Sequence, residues 1–213
     1  MRRTPGIHHI TAIASEPQVN LDFYTNVLGL RLVKLTVNYD DPGTYHLYFG
    51  DRLGRPGTIM TFFPWPGASR GRTGTGQATA TAFAVPGAAL AFWVDRFARL
   101  GLDFEMTAKR FDDEVLAVRD PDGMALELVA SPGAKTGETW QAGPVPEEYR
   151  ICGFHSVTLS VEGYERTARL LADTLGFRAV KDEGNRFRYG TGAEGPGAMV
   201  DLVCLPAAEI MAF

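Results

Sequence analysis

Apolar and polar residues alternate along the chain in three similar passages. Each passage begins with a short strand-like segment, at 7–14, 78–85 and 154–161. Each continues with apolar residues three or four positions apart and ends in strand patterns that stop near a proline. A spacing of three or four is typical of a helix that buries one face, whereas alternation is typical of a half-buried strand. Each passage therefore predicts the order strand, helix, strand, strand, strand.

The three predicted helices carry their apolar residues on one face and end at a glycine. The apolar positions are Leu21, Tyr24 and Leu28, then Leu90, Val94 and Phe97, then Ala168, Leu171 and Leu175. Gly29, Gly101 and Gly176 follow them, at spacings of 72 and 75 residues. Glycine is the usual residue after a helix because it enters the left-handed conformation easily. The regular recurrence predicts an internal repeat.

Two segments rich in proline, glycine, serine and threonine separate these passages, at 64–76 and 131–146. Such composition is typical of loops. We therefore expect three units, over residues 1–66, 77–131 and 151–206, with 132–150 as a linker. One unit has a single helix to cover one face of its sheet, so the other face needs a partner and the units should pair. The fold class that this predicts is α+β.

The composition is that of an ordinary folded protein. Of the 213 residues, 45% are apolar and 22% are charged, both near the averages of globular domains. A net charge of -4 argues against a nucleic-acid partner, which needs a basic face. An 18-residue apolar run and a signal-peptide pattern are both missing, so we expect no membrane partner. Cys152 and Cys204 lack metal-binding spacing, which predicts free thiols and a cytoplasmic protein.

Several stretches of the sequence resemble the vicinal oxygen chelate superfamily. They are GIHHIT at 6–11, LDFY at 21–24 and LGLRLVK at 28–34. Further stretches resemble the hydroquinone-type ring-cleaving dioxygenases within it. These are YHLYFGD at 45–51, GRPGTIMTFFP at 54–64, GFHS at 153–156 and EGNR at 183–186. The resemblance runs along the whole chain.

The resemblance implies a fold of repeated βαβββ modules that pair into open β-barrels around Fe(II), with Mn(II) as the alternative metal. Four modules are implied and three are visible. The implied metal ligands come from the first and the last strand of a module. The first-strand positions hold His9, Ala80 and Ser156, and the last-strand positions hold Thr61, Glu127 and Asp201.

A facial triad of two histidines and one carboxylate is not available from any pair of the visible modules. The resemblance implies that the first module pairs with a fourth one beyond Phe213, which leaves His9 as the only ligand in the chain. The apolar ending 209–213 favours a sequence cut before its next element.

His9 is therefore the candidate metal ligand. Thr11 lies two residues further along the strand, on the same face, where its hydroxyl could reach a metal-bound water or a substrate oxygen. His8 should face away from His9, and we favour a packing role for it while keeping it as a candidate catalytic residue. His46 and Tyr48 share one side of a strand and are candidate substrate-binding residues, with a packed aromatic strand as the equal alternative.

Two further residues have ligand-like contexts but a more ordinary interpretation. Glu127 alternates with leucines, and we expect it to face solvent on its sheet rather than to bind a metal. His155 aligns with His8 rather than with His9, so we expect a structural role for it.

The resemblance implies a metal-dependent dioxygenase that cleaves the ring of a hydroquinone or catechol with O2. Its partners would be a small aromatic diol and O2, and a homo-oligomer is left open. One alternative is a small-molecule binding protein of the same fold without catalysis. Another is an isomerase or lyase of the glyoxalase type, which would use His9 together with Glu127.

Overall fold

The computed structural model describes residues 4–107, 109–135, 139–193 and 195–205. Within these ranges the chain forms twelve strands and three α-helices. The strands are β1 His9–Ala14, β2 Arg31–Val37, β3 Tyr45–Gly50, β4 Ile59–Pro64, β5 Gln77–Pro86, β6 Phe104–Met106, β7 Val115–Arg119, β8 Ala125–Ser131, β9 Phe154–Val161, β10 Arg178–Glu183, β11 Arg186–Gly190 and β12 Met199–Cys204. The helices are α1 Pro17–Asp22, α2 Leu90–Arg99 and α3 Glu165–Arg169.

Short helical turns of other types complete the helices. α1 and α3 continue directly into π-helical turns at Phe23–Val27 and Leu170–Thr174, and a 3₁₀ turn spans Glu147–Tyr149. The expected glycines end the helical segments in the left-handed conformation, at Gly29, Gly101 and Gly176. The α+β class is therefore confirmed. The predicted apolar ending 209–213 and the last position of the third unit lie outside the described residues.

The strands form two open sheets. One has the order β1-β4-β3-β2, and the other has the order β10-β11-β12-β9-β5-β8-β7-β6. In each third of the chain the first and last strands are parallel neighbours. The eight-stranded sheet arises because β5 and β9 pair antiparallel, which joins the second and third units edge to edge. That the three units are separate domains stays a prediction. The second and third units share a sheet, and the first and second share a core.

Large aromatic side chains from the first two units meet in one core. Tyr24, Phe49 and Phe62 are fully buried in the same cluster as Trp93 and Phe97. Burying each such side chain contributes roughly 1.5–3 kcal/mol, so this shared cluster holds the four-stranded sheet against the second unit. No helix in the described ranges is long and apolar enough to cross a bilayer.

A buried polar contact adds to this interface. The Tyr24 hydroxyl donates to Asp120 Oδ2 at 3.0 Å, and the Ser15 hydroxyl donates to Asp122 at 2.5 Å. Burial, with the nearby Asp120 carboxylate, raises the pKa of Tyr24 well above its ordinary value. The phenol therefore stays protonated and keeps donating. The turn at 120–123 thus fixes the second unit to the first.

Close backbone contacts fix the start of β1 against the third unit. The Gly57 N–H donates to the carbonyl of His8, and the Phe154 N–H donates to the carbonyl of Gly57, both at 2.8 Å. The Ile7 N–H donates to the carbonyl of Gly197 at the same distance, 2.8 Å. Gly57 has a φ of +86°, and a Cβ there would lie 2.6 Å from the carbonyl oxygen of Pro196. Only glycine fits this position, and it holds His8 and His9 in place.

Replacing Gly57 by alanine tests this junction against a matched control. Gly67 has a similar φ of +79° but nothing within 4 Å of an added Cβ. We expect Gly67→Ala to cost about 1 kcal/mol through backbone strain alone. Gly57→Ala adds a collision with backbone, so we expect a loss of about 3 kcal/mol or more. Urea unfolding followed by circular dichroism measures both, and equal losses would contradict the close contact.

Candidate functional site

One face of the four-stranded sheet turns away from the helices and carries most of the candidate residues. Strand alternation places His9 and Thr11 of β1, Thr61 of β4, and His46 and Tyr48 of β3 on this face. The residues between them pack into the core. We call these five residues the open face. Four of the five predicted site residues therefore share one surface.

The two neighbouring histidines at the edge of the open face contact each other. Both are exposed, with Nδ1 of His8 and Nδ1 of His9 3.1 Å apart and their rings edge to face. The expectation that His8 faces away from His9 is wrong, because β1 begins only at His9 and strand alternation does not yet apply to His8. His8 is thus placed beside the candidate ligand and within reach of the same partner.

Thr11 is held by a neighbour across the sheet. The Thr61 hydroxyl donates to Thr11 Oγ1 at 2.9 Å, and the two residues are paired in the parallel register. Thr61 is fully buried, while Thr11 is exposed. Since each hydroxyl has one proton to donate, Thr11 keeps its own proton for a partner on the open face.

His46 and Tyr48 form a compact aromatic pair further across the same face. The Tyr48 hydroxyl lies 3.0 Å from His46 Nδ1, and the His46 ring packs at a tilt against Tyr48 and Phe63 with centroid separations of 4.1 and 4.0 Å. Burial lowers the pKa of His46, and the charges of Lys34 and His9 lower it further. The ring is therefore neutral near pH 7, as a hydrogen-bonding rather than a charged group.

The eight-stranded sheet carries a different set of side chains on its corresponding face. We call six of them the charged cluster; its members are Arg110, Asp113, Glu127, Arg186, Arg188 and Asp201. The parallel pairing gives Glu127 on β8 and Asp201 on β12 the same strand position as Thr61 on β4. The cluster balances three positive and three negative side chains.

Glu127 is fully engaged within this cluster. Arg110 donates from Nη1 and Nη2 to its two carboxylate oxygens, at 2.5 and 2.6 Å. The expectation that Glu127 faces solvent is wrong, because it is buried and paired. The glyoxalase-type alternative would need Glu127 as a ligand beside His9, whereas both carboxylate oxygens of Glu127 are taken by Arg110 here.

Asp201 is equally occupied. Arg188 donates from Nε and Nη2 to its two oxygens, at 2.8 and 3.0 Å, and Arg186 donates to Oδ2 at 3.1 Å. Arg188 also bonds Asp113 at 2.5 Å. Buried charges are stable only when paired in this way. The sequence predicts no role for these arginines, although Arg186 and Arg188 are spaced to share one strand face.

His155 joins the charged cluster through an irregularity in β9. The register with β5 shifts so that Ala82 pairs with Ser156 and Phe83 with Phe154, which skips His155 as a β-bulge does. His155 is buried, with Nδ1 3.2 Å from Ser156 Oγ and Nε2 3.8 Å from Asp113. Burial, with the nearby positive Arg188, lowers the pKa of His155 to about 4.

The described residues supply only part of a metal site. In these ranges no group of three or more histidine, cysteine, aspartate or glutamate side chains is arranged to hold a metal ion. His9 and the adjacent His8 have the right ligand chemistry, but a facial triad needs one carboxylate as well. A groove near Phe23 and Phe104, with a volume of about 580 Å³, lies away from these histidines.

These features define a class of α+β protein built from open sheets with parallel outer strands in each third. Residues 6–128 match the family model described as Glyoxalase/Bleomycin resistance protein/Dioxygenase superfamily. The chain belongs to this superfamily, so the family resemblance of its sequence motifs is confirmed.

Several relatives carry names that describe chemistry. The chain is 45% identical over 205 residues to "Putative ring-cleaving dioxygenase MhqO" of Bacillus subtilis strain 168, covering 96% of this chain and 65% of the relative. It is 32% identical over 203 residues to "Chlorohydroquinone/hydroquinone 1,2-dioxygenase" of Sphingobium indicum, covering 94% of this chain and 63% of the relative. The chain thus spans just under two thirds of these relatives.

A solved structure shows the same architecture. The crystal structure of a "putative dioxygenase" from Bacillus subtilis subsp. subtilis str. 168 superposes with a TM-score of 0.92 at 44% identity. The match covers 100% of this chain and 68% of that one. The arrangement of the two sheets is therefore shared with a longer protein.

A double-mutant cycle on Arg110 and Glu127 tests the charged cluster. Arg110→Met leaves a buried carboxylate unpaired, and Glu127→Leu leaves a buried guanidinium unpaired, so we expect each to cost roughly 3 kcal/mol. The double variant removes both charges and should recover most of this loss. Urea unfolding measures the cycle. As a control, Asp112→Asn removes an exposed ion pair with Lys181 and should leave the melting temperature unchanged. If the losses of stability at Arg110 and Glu127 simply add in the double variant, the two residues are not a coupled pair.

The pH dependence of stability tests His155. Its folded pKa, about 4, lies below the unfolded value of about 6.5, so acid protonates the unfolded chain first. Stability should therefore be full above about pH 6.5 and fall as the pH drops towards about 4. Comparing wild type with His155→Phe by urea unfolding between pH 7 and pH 5 isolates this group from Asp113, Asp201, Arg110 and Arg188. Identical pH slopes would contradict a buried neutral histidine.

Proposed function

We propose that the protein is a metal-dependent dioxygenase that cleaves the ring of a hydroquinone or catechol with O2. The observation that carries this proposal is the exposed His8–His9 pair beside the open face. This histidine pair belongs to a chain that is 32% identical to a relative named chlorohydroquinone/hydroquinone 1,2-dioxygenase. Hydroxyl, imidazole and aromatic groups on one surface suit a planar ring that carries hydroxyl groups.

The open face and the adjacent His8 provide one role for each predicted site residue. His9 is the metal ligand, and His8 acts beside it as a group that can exchange a proton with bound substrate. Thr11 offers a hydroxyl proton that Thr61 leaves free. His46 and Tyr48 bind the substrate ring. These assignments are supported by their common surface and by the contacts within it.

Fe(II) is the metal that we propose, with Mn(II) as the alternative, and it would supply the activation of O2. The described residues do not complete its ligand set, so we propose that the remaining ligands come from protein outside them. The curated relatives are about half as long again as the aligned chain, which supports this. Such a segment, or a second copy in a homo-oligomer, would turn the open face into half of an open barrel.

The thiols support a reducing compartment for this chemistry. Cys152 is buried and Cys204 is half-buried, and both are free. Burial also raises the pKa of Cys152 to about 11, so its thiol is unreactive. Free thiols favour the cytoplasm over an oxidising compartment, and we propose that location.

Replacing His9 tests the proposed metal site in the full-length protein. We expect His9→Ala to lose bound metal and to lower O2 uptake with hydroquinone by about 100-fold or more, beyond the usual effect of residues that only neighbour a ligand. Elemental analysis and an oxygen electrode give the two readouts. Tyr45→Phe, an exposed residue outside the open face, is the control. A binding protein without catalysis would show no uptake in the wild type, and metal retained by His9→Ala would refute the ligand assignment.

A further inference from the structure

One buried carboxylate organises the loop between β3 and β4. Asp51 follows β3 directly and is 5% exposed. Its Oδ1 accepts the backbone N–H groups of Leu53 and Arg55, at 3.0 and 3.1 Å, and its Oδ2 accepts from Arg55 Nε at 2.6 Å. An aspartate that binds backbone N–H groups a few residues further on fixes a turn by itself. The side chain of Asp51 therefore holds the first half of this loop in one shape.

The second half of the loop is built on Arg55, which Asp51 holds. The hydroxyl and the N–H of Thr58 both donate to the carbonyl of Arg55, at 2.7 and 3.1 Å, and Thr58 is buried. Gly57 lies between these two residues. The position of its backbone therefore depends on the bonds that Asp51 makes.

Gly57 passes this constraint on to the two neighbouring histidines. Its N–H donates to the carbonyl of His8 at 2.8 Å. That carbonyl belongs to the peptide unit between His8 and His9, which is planar and includes both Cα atoms. A shift of the Gly57 amide would therefore rotate this plane and displace both rings. Metal–ligand distances tolerate changes of only about 0.2 Å, so even a small rotation would matter.

The two oxygens of Asp51 have separate roles in this arrangement. The ion pair made by Oδ2 involves an Arg55 side chain that is 45% exposed, and exposed ion pairs contribute little to stability. Both bonds to the backbone are accepted by Oδ1. Since their donors are uncharged N–H groups, the neutral oxygen of an asparagine would accept them as well. The loop therefore needs an acceptor at Oδ1 more than it needs a charge.

We propose that Asp51 is a positioning residue for the His8–His9 pair. Through Oδ1 it holds the β3–β4 loop so that Gly57 fixes the peptide unit between the two histidines. This inference rests on the proposed function in one respect, because it takes the role of His9 as a metal ligand from it. Asp51 acts only through Gly57 and contacts neither metal nor substrate.

The second unit offers a matched control with the same local arrangement. Asp120 is also 5% exposed, and its Oδ1 accepts the N–H groups of Asp122 and Met124, at 3.0 and 2.8 Å. Its Oδ2 accepts the hydroxyl of Tyr24. Asp120→Ala therefore removes the same kind of contact, from the turn between β7 and β8 rather than from the loop that carries Gly57.

Hydrogen exchange of the Gly57 amide tests the proposal in the metal-free, full-length protein. NMR of protein labelled with 15N-glycine resolves this amide, at a temperature well below the melting temperature of each variant. We expect Asp51→Ala to speed its exchange by about 10-fold or more, because the loop opens locally. Asp51→Asn keeps an oxygen at the Oδ1 position and should restore the slow exchange of the wild type. Arg55→Met and Asp120→Ala should leave the Gly57 amide unchanged.

The affinity for Mn(II) gives a second readout that a general loss of stability would not reproduce. The EPR signal of free Mn(II) measures binding by the full-length protein without turnover. We expect Asp51→Ala to weaken binding by about 10-fold or more, as the loss of a group that supports a ligand does. Asp51→Asn and Arg55→Met should bind as the wild type does. Asp120→Ala should lower the melting temperature and keep the wild-type affinity.

The outcomes separate this inference from the function that it rests on. If the wild type binds no metal, the proposed metal site fails, while the exchange of the Gly57 amide still decides whether Asp51 positions the histidines. Wild-type exchange in Asp51→Ala would overturn the role of Asp51. So would a wild-type affinity for Mn(II) in that variant, or an equal loss of affinity in Asp120→Ala, which would assign the effect to stability alone.

Discussion

The rest of the structure depends on the backbone junction that fixes β1. Hydrogen bonds from Gly57 and Ile7 tie the start of this strand to its own sheet and to the third unit, at a distance that excludes a Cβ. Backbone contacts of this kind are rigid because they involve no side-chain rotamers. The histidines at 8 and 9 are therefore placed by the main chain before any ligand is bound. Preorganised groups of this kind bind with a smaller entropic cost.

The two sheets differ in what covers the face that their helices leave exposed. Each has a face that its helices leave uncovered, and in each of the three units one position on the last strand points to such a face. In the four-stranded sheet that position is Thr61, and the surrounding surface stays open. In the eight-stranded sheet the positions hold Glu127 and Asp201, and guanidinium groups from Arg110 and Arg188 fill the space. The same element order thus yields one accessible face and one occupied by ion pairs.

The sequence predicted what is local and missed what is not. The three passages, the helix-ending glycines and the α+β class follow from periodicity and from the left-handed preference of glycine, which are properties of neighbouring residues. Glu127 was misassigned because its partner, Arg110, is 17 residues away in a segment without a strand pattern. His8 was misassigned because alternation was extended beyond the start of β1. The pairing of β5 with β9 has no local signal, so the joined sheet could not be predicted.

The ion pairs also explain why chemistry should concentrate on the open face. A buried carboxylate at a ligand position can bind a metal only if it is free, and freeing Asp201 would leave Arg188 and Arg186 unpaired in the interior. The free energy needed to strip such pairs is large, so a metal ion competes poorly there. The described residues of the open face have no such ion pairs to break, and His9 and Thr11 are exposed there. Binding on the open face breaks no buried ion pair, whereas binding at the charged cluster would leave buried guanidinium groups unpaired.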